Sequence, residues 1–179
     1  ESASELPLCF SRRIAIEGPI VYGTALLQRP DGGAAPVTLV GTRLSHLAGG
    51  PWNLVAGDVD VLRYPDTVIF EDSQREKLGG LNLGSVRELS GHRVVVGGFT
   101  WGLIPFGPPY AFASYETARD ILHIAEDQTS FVLVRAQPGA DLAAIQRDLE
   151  SRLPNTRIYQ RQDFHDAIVW YLIRAQLGI

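Results

Sequence analysis

The stretch that decides the fold is Phe131–Tyr159, FVLVRAQPGADLAAIQRDLESRLPNTRIY. Phe131 to Arg135 has the apolar, β-branched composition of a strand, and Pro138-Gly139-Ala140 supplies a turn. Asp141 stands where a helix needs an N-cap. Leu142, Ile145, Leu149 and Leu153 then recur on one helical face, while Gln146, Arg147, Asp148 and Glu150 lie mostly away from it. Pro154 and Asn155 stop the helix, and Arg157 to Tyr159 predicts a returning strand. The segment reads as a β-α-β unit followed by a helix from about Gln162. In that last helix Phe164, Ile168, Tyr171 and Leu172 share a face, but Trp170 and Ile173 point elsewhere. A helix apolar on several sides is fully buried or is heading for lipid.

Upstream, the pattern changes from helices to hairpins. Ser4 and Pro7 predict a first helix of roughly ten residues that Gly18 ends. Ile20 to Gln28 and Val37 to Arg43 predict two strands around Pro30-Asp31-Gly32-Gly33, a cluster that supplies the positive-φ positions of a hairpin loop. Ala48 to Asp60 reads as a connecting loop and Thr67 to Phe70 as a short strand. Asp72 and Ser73 predict a cap for a short helix through Leu78, closed by Gly79 and Gly80. Val86–Leu89 and His92–Phe99 form a second hairpin pattern turned at Ser90-Gly91. Tyr110–Ala113 is one more strand, and Ser114 caps a helix from Tyr115 to about His123. Hairpins with segregated helices indicate an α+β fold rather than a doubly wound sheet.

Composition bounds the function. The chain has 179 residues, 45% of them hydrophobic and 20% charged, with a net charge of -4. That is a globular profile. Sixteen basic residues against twenty acidic ones, with no basic run, leave no footprint for nucleic acid. Cys9 is the only cysteine, so an intrachain disulfide and a thiolate metal site are both excluded. The chain starts at Glu1, contains no methionine and shows no signal peptide. Ala167 to Ile179 is strongly apolar but shorter than the roughly 20 residues that span a bilayer. Together these ends create the expectation of a piece cut from a longer product.

The search for chemistry yields little. The four histidines are His46, His92, His123 and His165. His123 and Asp127 share a helical spacing and Asp163, His165 and Asp166 cluster, yet no tight ligand motif such as H-E-x-x-H is present. Glycine pairs at 32-33, 49-50, 79-80 and 97-98 lack the strand, spacing and helix of a phosphate loop, so turn geometry is their reading. No G-x-S-x-G elbow exists. The expectation is therefore no catalytic, cofactor-binding or metal-binding residue, and no enzyme. One stretch stands out: Phe99 to Tyr110, FTWGLIPFGPPY. A greasy, proline-stiffened loop either folds back over the sheet edge or marks a contact surface. Trp101, Leu103, Ile104, Phe106 and Tyr110 are its candidate partner-contact residues.

Seven segments in order carry a resemblance: Gly49–Asp58 (GGPWNLVAGD), Pro65–Asp72 (PDTVIFED), Arg75–Gly84 (REKLGGLNLG), Gly91–Phe99 (GHRVVVGGF), Tyr110–Leu122 (YAFASYETARDIL), Thr129–Pro154 with its LVRAQPGADLAAI core, and Gln160–Tyr171. Read as a series, they resemble the extracytoplasmic domain of MacB-type, FtsX-like ABC permeases. Within these the likeness is closest to the cyanobacterial heterocyst-exporter, DevC-like branch. It covers nearly all of the chain beyond residue 10 and rests on order and spacing rather than on one motif. The resemblance implies a discontinuous βαβ porter-like lobe (1–60 and 127–179) with a small β-rich sabre-like lobe inserted at 61–126. It implies an inner-membrane exporter with this domain on the periplasmic side. Its partners would be a cytoplasmic ABC ATPase, a periplasmic membrane-fusion adaptor and a second permease copy. The family's first strand after the membrane helix is not evident here, so a sheet edge is expected to be missing or distorted. The competing reading is a free-standing periplasmic ligand-binding or small metal-dependent hydrolytic domain using His123 and His165.

Overall fold

The computed structural model describes residues 14–45, 49–103 and 107–164. They fall into two compact units, one formed by 16–134 and the other by 14–15 with 135–164. The strands are β1 (Ile14–Gln28), β2 (Ala34–Thr42), β3 (Leu54–Ala56), β4 (Thr67–Glu71), β5 (Val86–Leu89), β6 (His92–Thr100), β7 (Tyr110–Ser114) and β8 (Phe131–Ala136). The α-helices among the described residues include α1 (Tyr115–Leu122) and α2 (Leu142–Arg152). This is a mixed sheet with few helices. Among the described residues no helix is long and apolar enough to cross a membrane.

The first unit is built on a sheet of order β2-β7-β4-β6-β5-β1-β8, with β3 added on β6. β2 also pairs with β1, so the sheet curls back on itself. The long antiparallel β1–β2 hairpin runs from Ile20↔Thr42 to Gln28↔Ala34. Its loop is tied by Arg29 N–H to the Gly33 carbonyl (2.8 Å) and by Gly33 N–H to the Asp31 carboxylate (2.9 Å). The β5–β6 hairpin turns on Ser90 and Gly91, both at positive φ (50° and 83°). Such a turn matches the twist of the flanking strands. The pairs β2–β7 and β4–β6 are parallel.

Alternation along the strands gives the sheet two apolar layers. Val21, Ala25, Leu27, Val37, Leu39, Val68, Phe70, Val94, Val96, Phe99, Ala111 and Ala113 form the first with Leu78 and Leu81 and with Tyr115, Ala118 and Ile121 of α1. The opposite face carries Ile20, Val40, Ile69 and Phe112, covered by Leu62 and Leu103. Gly41 lets α1 come close: a Cβ there would lie 2.3 Å from that of Ala118. Ser114 begins α1 as its sequence position predicts, its hydroxyl accepting the Thr117 N–H at 3.2 Å. Ser114→Ala should cost about 1 kcal/mol, read as a lower urea midpoint at unchanged slope.

In the second unit Asp141 caps α2 through the Ala144 N–H (3.0 Å), and Ile145 and Leu149 are buried. Gln146 reaches across to the Ile158 carbonyl (3.1 Å) and accepts from Gln160 (3.0 Å). These side-chain bonds occupy the place of the predicted returning strand: Arg157–Tyr159 is irregular. Residues 161–164 are helical, and the rest of that predicted helix lies outside the described residues.

Three other expectations change. Of the helix expected to end at Gly18, the part up to residue 13 lies outside the described residues, while Ile14–Glu17 is strand and Gly18 (φ 130°) lies inside β1. The helix expected over Asp72–Leu78 is a 3₁₀ turn at Asp72–Gln74 followed by turns. The 48–60 connection contains β3, because its apolar residues find the end of β6 as a partner.

Candidate functional site

Where β3 meets the end of β6, Leu54 lies opposite Thr100. The next residues continue that pairing. Trp101 N–H donates to the Asn53 carbonyl (3.0 Å), and the Asn53 side-chain amide donates to the Trp101 carbonyl. Asn53 adopts φ 53°, a left-handed conformation that Asn tolerates better than most residues. This clamp leaves two indoles at the surface, Trp52 at 55% and Trp101 at 51% exposure. Trp52 leans edge-on against buried Phe112, with ring centroids 5.8 Å apart. Val55 is also exposed.

Beneath this tip lies Glu71, at 0% exposure. Its Oε1 accepts from the Ser73 hydroxyl (2.9 Å) and N–H (3.4 Å) and from Gly102 N–H (3.0 Å). Its Oε2 accepts from the Thr100 hydroxyl (2.9 Å) and Leu103 N–H (3.3 Å). A buried carboxylate is tolerated only when hydrogen bonded in this way. Arg75 covers the neighbouring Phe99 ring, its guanidinium carbon 4.5 Å from the centroid.

The candidate contact residues therefore divide. Trp101 is exposed. Leu103 is buried in the second apolar layer, and half-buried Tyr110 packs against that layer. Ile104 and Phe106 lie outside the described residues. The loop's return is stitched to β2, Thr38 N–H donating to the Pro109 carbonyl at 2.8 Å. Burial, and secondarily Tyr22, raises the Tyr110 phenol above its ordinary pKa, so it stays neutral at pH 7. Sequence reading missed Glu71, Asn53 and Trp52 as parts of this site. An acid closing a strand reads as a solvated end, and nothing local says that, besides Ser73, its donors lie about thirty residues on.

Elsewhere the described residues offer a depression and isolated histidines. An open depression of ≈ 490 Å³ is lined by Val61, Tyr64, Pro65, Thr67, Leu83, Gly84 and Val95–Gly97, with one ionisable side chain, Tyr64. Among the described residues no three His, Cys, Asp or Glu side chains gather as for a metal ion. His123 ends α1 in a left-handed conformation (φ 54°), and His92 faces Asp66 at 3.9 Å. His46 and His165 lie outside the described residues.

No family model matches the sequence. No curated protein matches it either. Solved structures do resemble the fold. The extracellular domain of the noncanonic ABC-type transporter YknZ from Gram-positive bacteria aligns with a TM-score of 0.55 at 16% identity, covering 83% of this chain and 80% of that one. The periplasmic region of MacB from Actinobacillus actinomycetemcomitans aligns with a TM-score of 0.51 at 13% identity, covering 75% of this chain. This chain spans 64% of that MacB structure's length. The fold is thus that of MacB-like external permease domains, and these structural neighbours are transporter parts rather than enzymes.

Proposed function

We propose that this chain is the extracytoplasmic domain of an ABC exporter permease subunit. The observation that carries this reading is the fold it shares with the external domains of YknZ and MacB. In such a subunit ATP is hydrolysed on a separate cytoplasmic ATPase, and this domain moves with a second permease copy. The movement couples turnover to export through a membrane-fusion adaptor. The DevC-like branch is the variant of this reading that the ordered segments favour. A porter-like division at 1–60 and 127–179 around a sabre-like 61–126 would be one of function, since β1 and β2 share a sheet with β4–β7.

The tip formed by Trp52 and Trp101 is the proposed adaptor contact. Exposed tryptophans on a fixed backbone are the side chains that dominate interface energies when a partner covers them. Trp101→Ala in the full-length permease should weaken adaptor capture by about 30-fold, a hot-spot loss of about 2 kcal/mol. The thermal midpoint should stay unchanged. Pull-down of adaptor from detergent-solubilised membranes, paired with an export assay, checks this. Unchanged capture and export in both Trp101→Ala and Trp52→Ala would overturn the tip as the contact.

A further inference from the structure

We infer that Glu71, which is too deeply buried to touch a partner, is the positioning residue for the Trp101 contact. This inference rests on the proposed role of the tip. Four successive residues after the end of the apolar run of β6 are fixed by two residues, Asn53 through its main-chain carbonyl and its side-chain amide and Glu71 through its carboxylate. Asn53 holds both the N–H and the carbonyl of Trp101. Glu71 holds the hydroxyl of Thr100 and the N–H groups of Gly102 and Leu103. The backbone under the exposed indole is therefore ordered from both sides. A contact presented this way avoids the ordering cost that a mobile loop would incur on binding.

The chemistry requires a carboxylate. Gly102 donates to Oε1 and Leu103 to Oε2, so each of the two loop amides uses a different oxygen. A carboxamide has one acceptor oxygen. Whichever way Gln were turned at this position, its NH₂ would face one backbone N–H of the loop. The hydroxyls of Ser73 and Thr100 can rotate to accept instead, but the amides cannot. Glu71→Gln is thus an isosteric change that withdraws one support from the 100–103 loop and leaves the apolar layers filled.

Hydrogen exchange of the isolated chain reads the first consequence without any partner. Glu71→Gln should speed exchange at Gly102 and Leu103 about tenfold while Ile69 and Val96 keep their rates, a local rather than global opening. The second consequence is kinetic. To the extent that the opened loop becomes populated, the association rate of the adaptor falls in proportion to the ordered fraction that remains, and dissociation is unchanged. A merely destabilising change would instead reduce the amount of active protein at unchanged rates. Should Glu71→Gln fail to fold, Glu71→Asp carries the same test, because it keeps a carboxylate but draws it back by one methylene from the Gly102 and Leu103 N–H groups. Exchange that is unaltered, or that rises equally at 69, 96, 102 and 103, overturns the inference, as does an unchanged association rate. If Trp101→Ala weakens capture in that case, the proposed function survives alone. If both Trp101→Ala and Trp52→Ala capture adaptor normally, the tip falls as the adaptor contact, and the functional role of Glu71 falls with it.

Discussion

Phe70→Ala should lower the unfolding free energy by about 3–5 kcal/mol, the range for emptying a buried phenylalanine site. Phe70 is fully buried in β4, paired to Phe99 on one side and Ala111 on the other. Ala111 is too small to swing into the vacated space, and Phe99 is pinned under Arg75. The cavity should therefore stay largely open. Ile69, one residue away, faces the other layer, so Ile69→Val should cost only about 0.5–1.5 kcal/mol. Urea titrations of both variants check the pair. A Phe70→Ala cost below that of Ile69→Val would contradict the assignment of Phe70 to the continuous inner layer. A changed slope would point to an altered denatured state rather than to a lost contact.

The strand at 67–70 was legible in the sequence, and with it the alternation of its two faces, though not which face meets which layer. So were the local signals: Pro30-Asp31-Gly32-Gly33, Ser90-Gly91, Ser114 and Asp141 each sit where their backbone chemistry is needed. What failed was a competition between local rules. The Ser4, Pro7 and Gly18 signals suggested a helix, yet Ile14 to Glu17 is in strand and Gly18 has φ 130°. Arg157–Tyr159 has strand composition but remains irregular, while Gln146 bonds the Ile158 carbonyl.

The site was half legible for a different reason. Its exposed member, Trp101, advertises itself by composition. Leu103 belongs to the same greasy stretch but turns inward, and only the second apolar layer, assembled from β1, β2, β4 and β7, makes that necessary. Glu71 and Asn53 act across about thirty and about fifty residues of sequence. No local pattern encodes such a bond. Parallel pairings such as β2–β7 share this property, since their registers depend on segments folded far apart in the chain.

The glycine pair 97–98 shows how far that non-local dependence extends, and it leads to the second large effect. Neither residue is at positive φ, so the turn geometry expected of the pair is not their reason. They lie within β6 where the 56–57 backbone crosses it: a Cβ on Gly98 would come 2.8 Å from the Ala56 carbonyl oxygen. The reciprocal contact is tighter. A Cβ on Gly57 would lie 2.4 Å from the Gly97 oxygen and 2.8 Å from the Gly98 Cα, and Gly57 itself has φ 81°. Backbone atoms of a paired strand cannot give way as a side-chain end can. Gly57→Ala should therefore cost about 1–2 kcal/mol for the left-handed conformation and about 1–3 kcal/mol for the overlap. Gly91→Ala is the control, because Gly91 shares the positive φ (83°) but a Cβ there meets nothing within 4 Å. It should show the conformational cost alone. The strain at 57 is relieved most readily by lifting the 49–58 segment from β6, which would draw Asn53 away from Trp101. Gly57→Ala should then also speed exchange at the Trp101 amide, which Gly91→Ala should leave unchanged. Equal stability losses in the two variants, with the Trp101 amide unaffected in both, would mean that the close crossing at Gly97-Gly98 does not hold the tip in place.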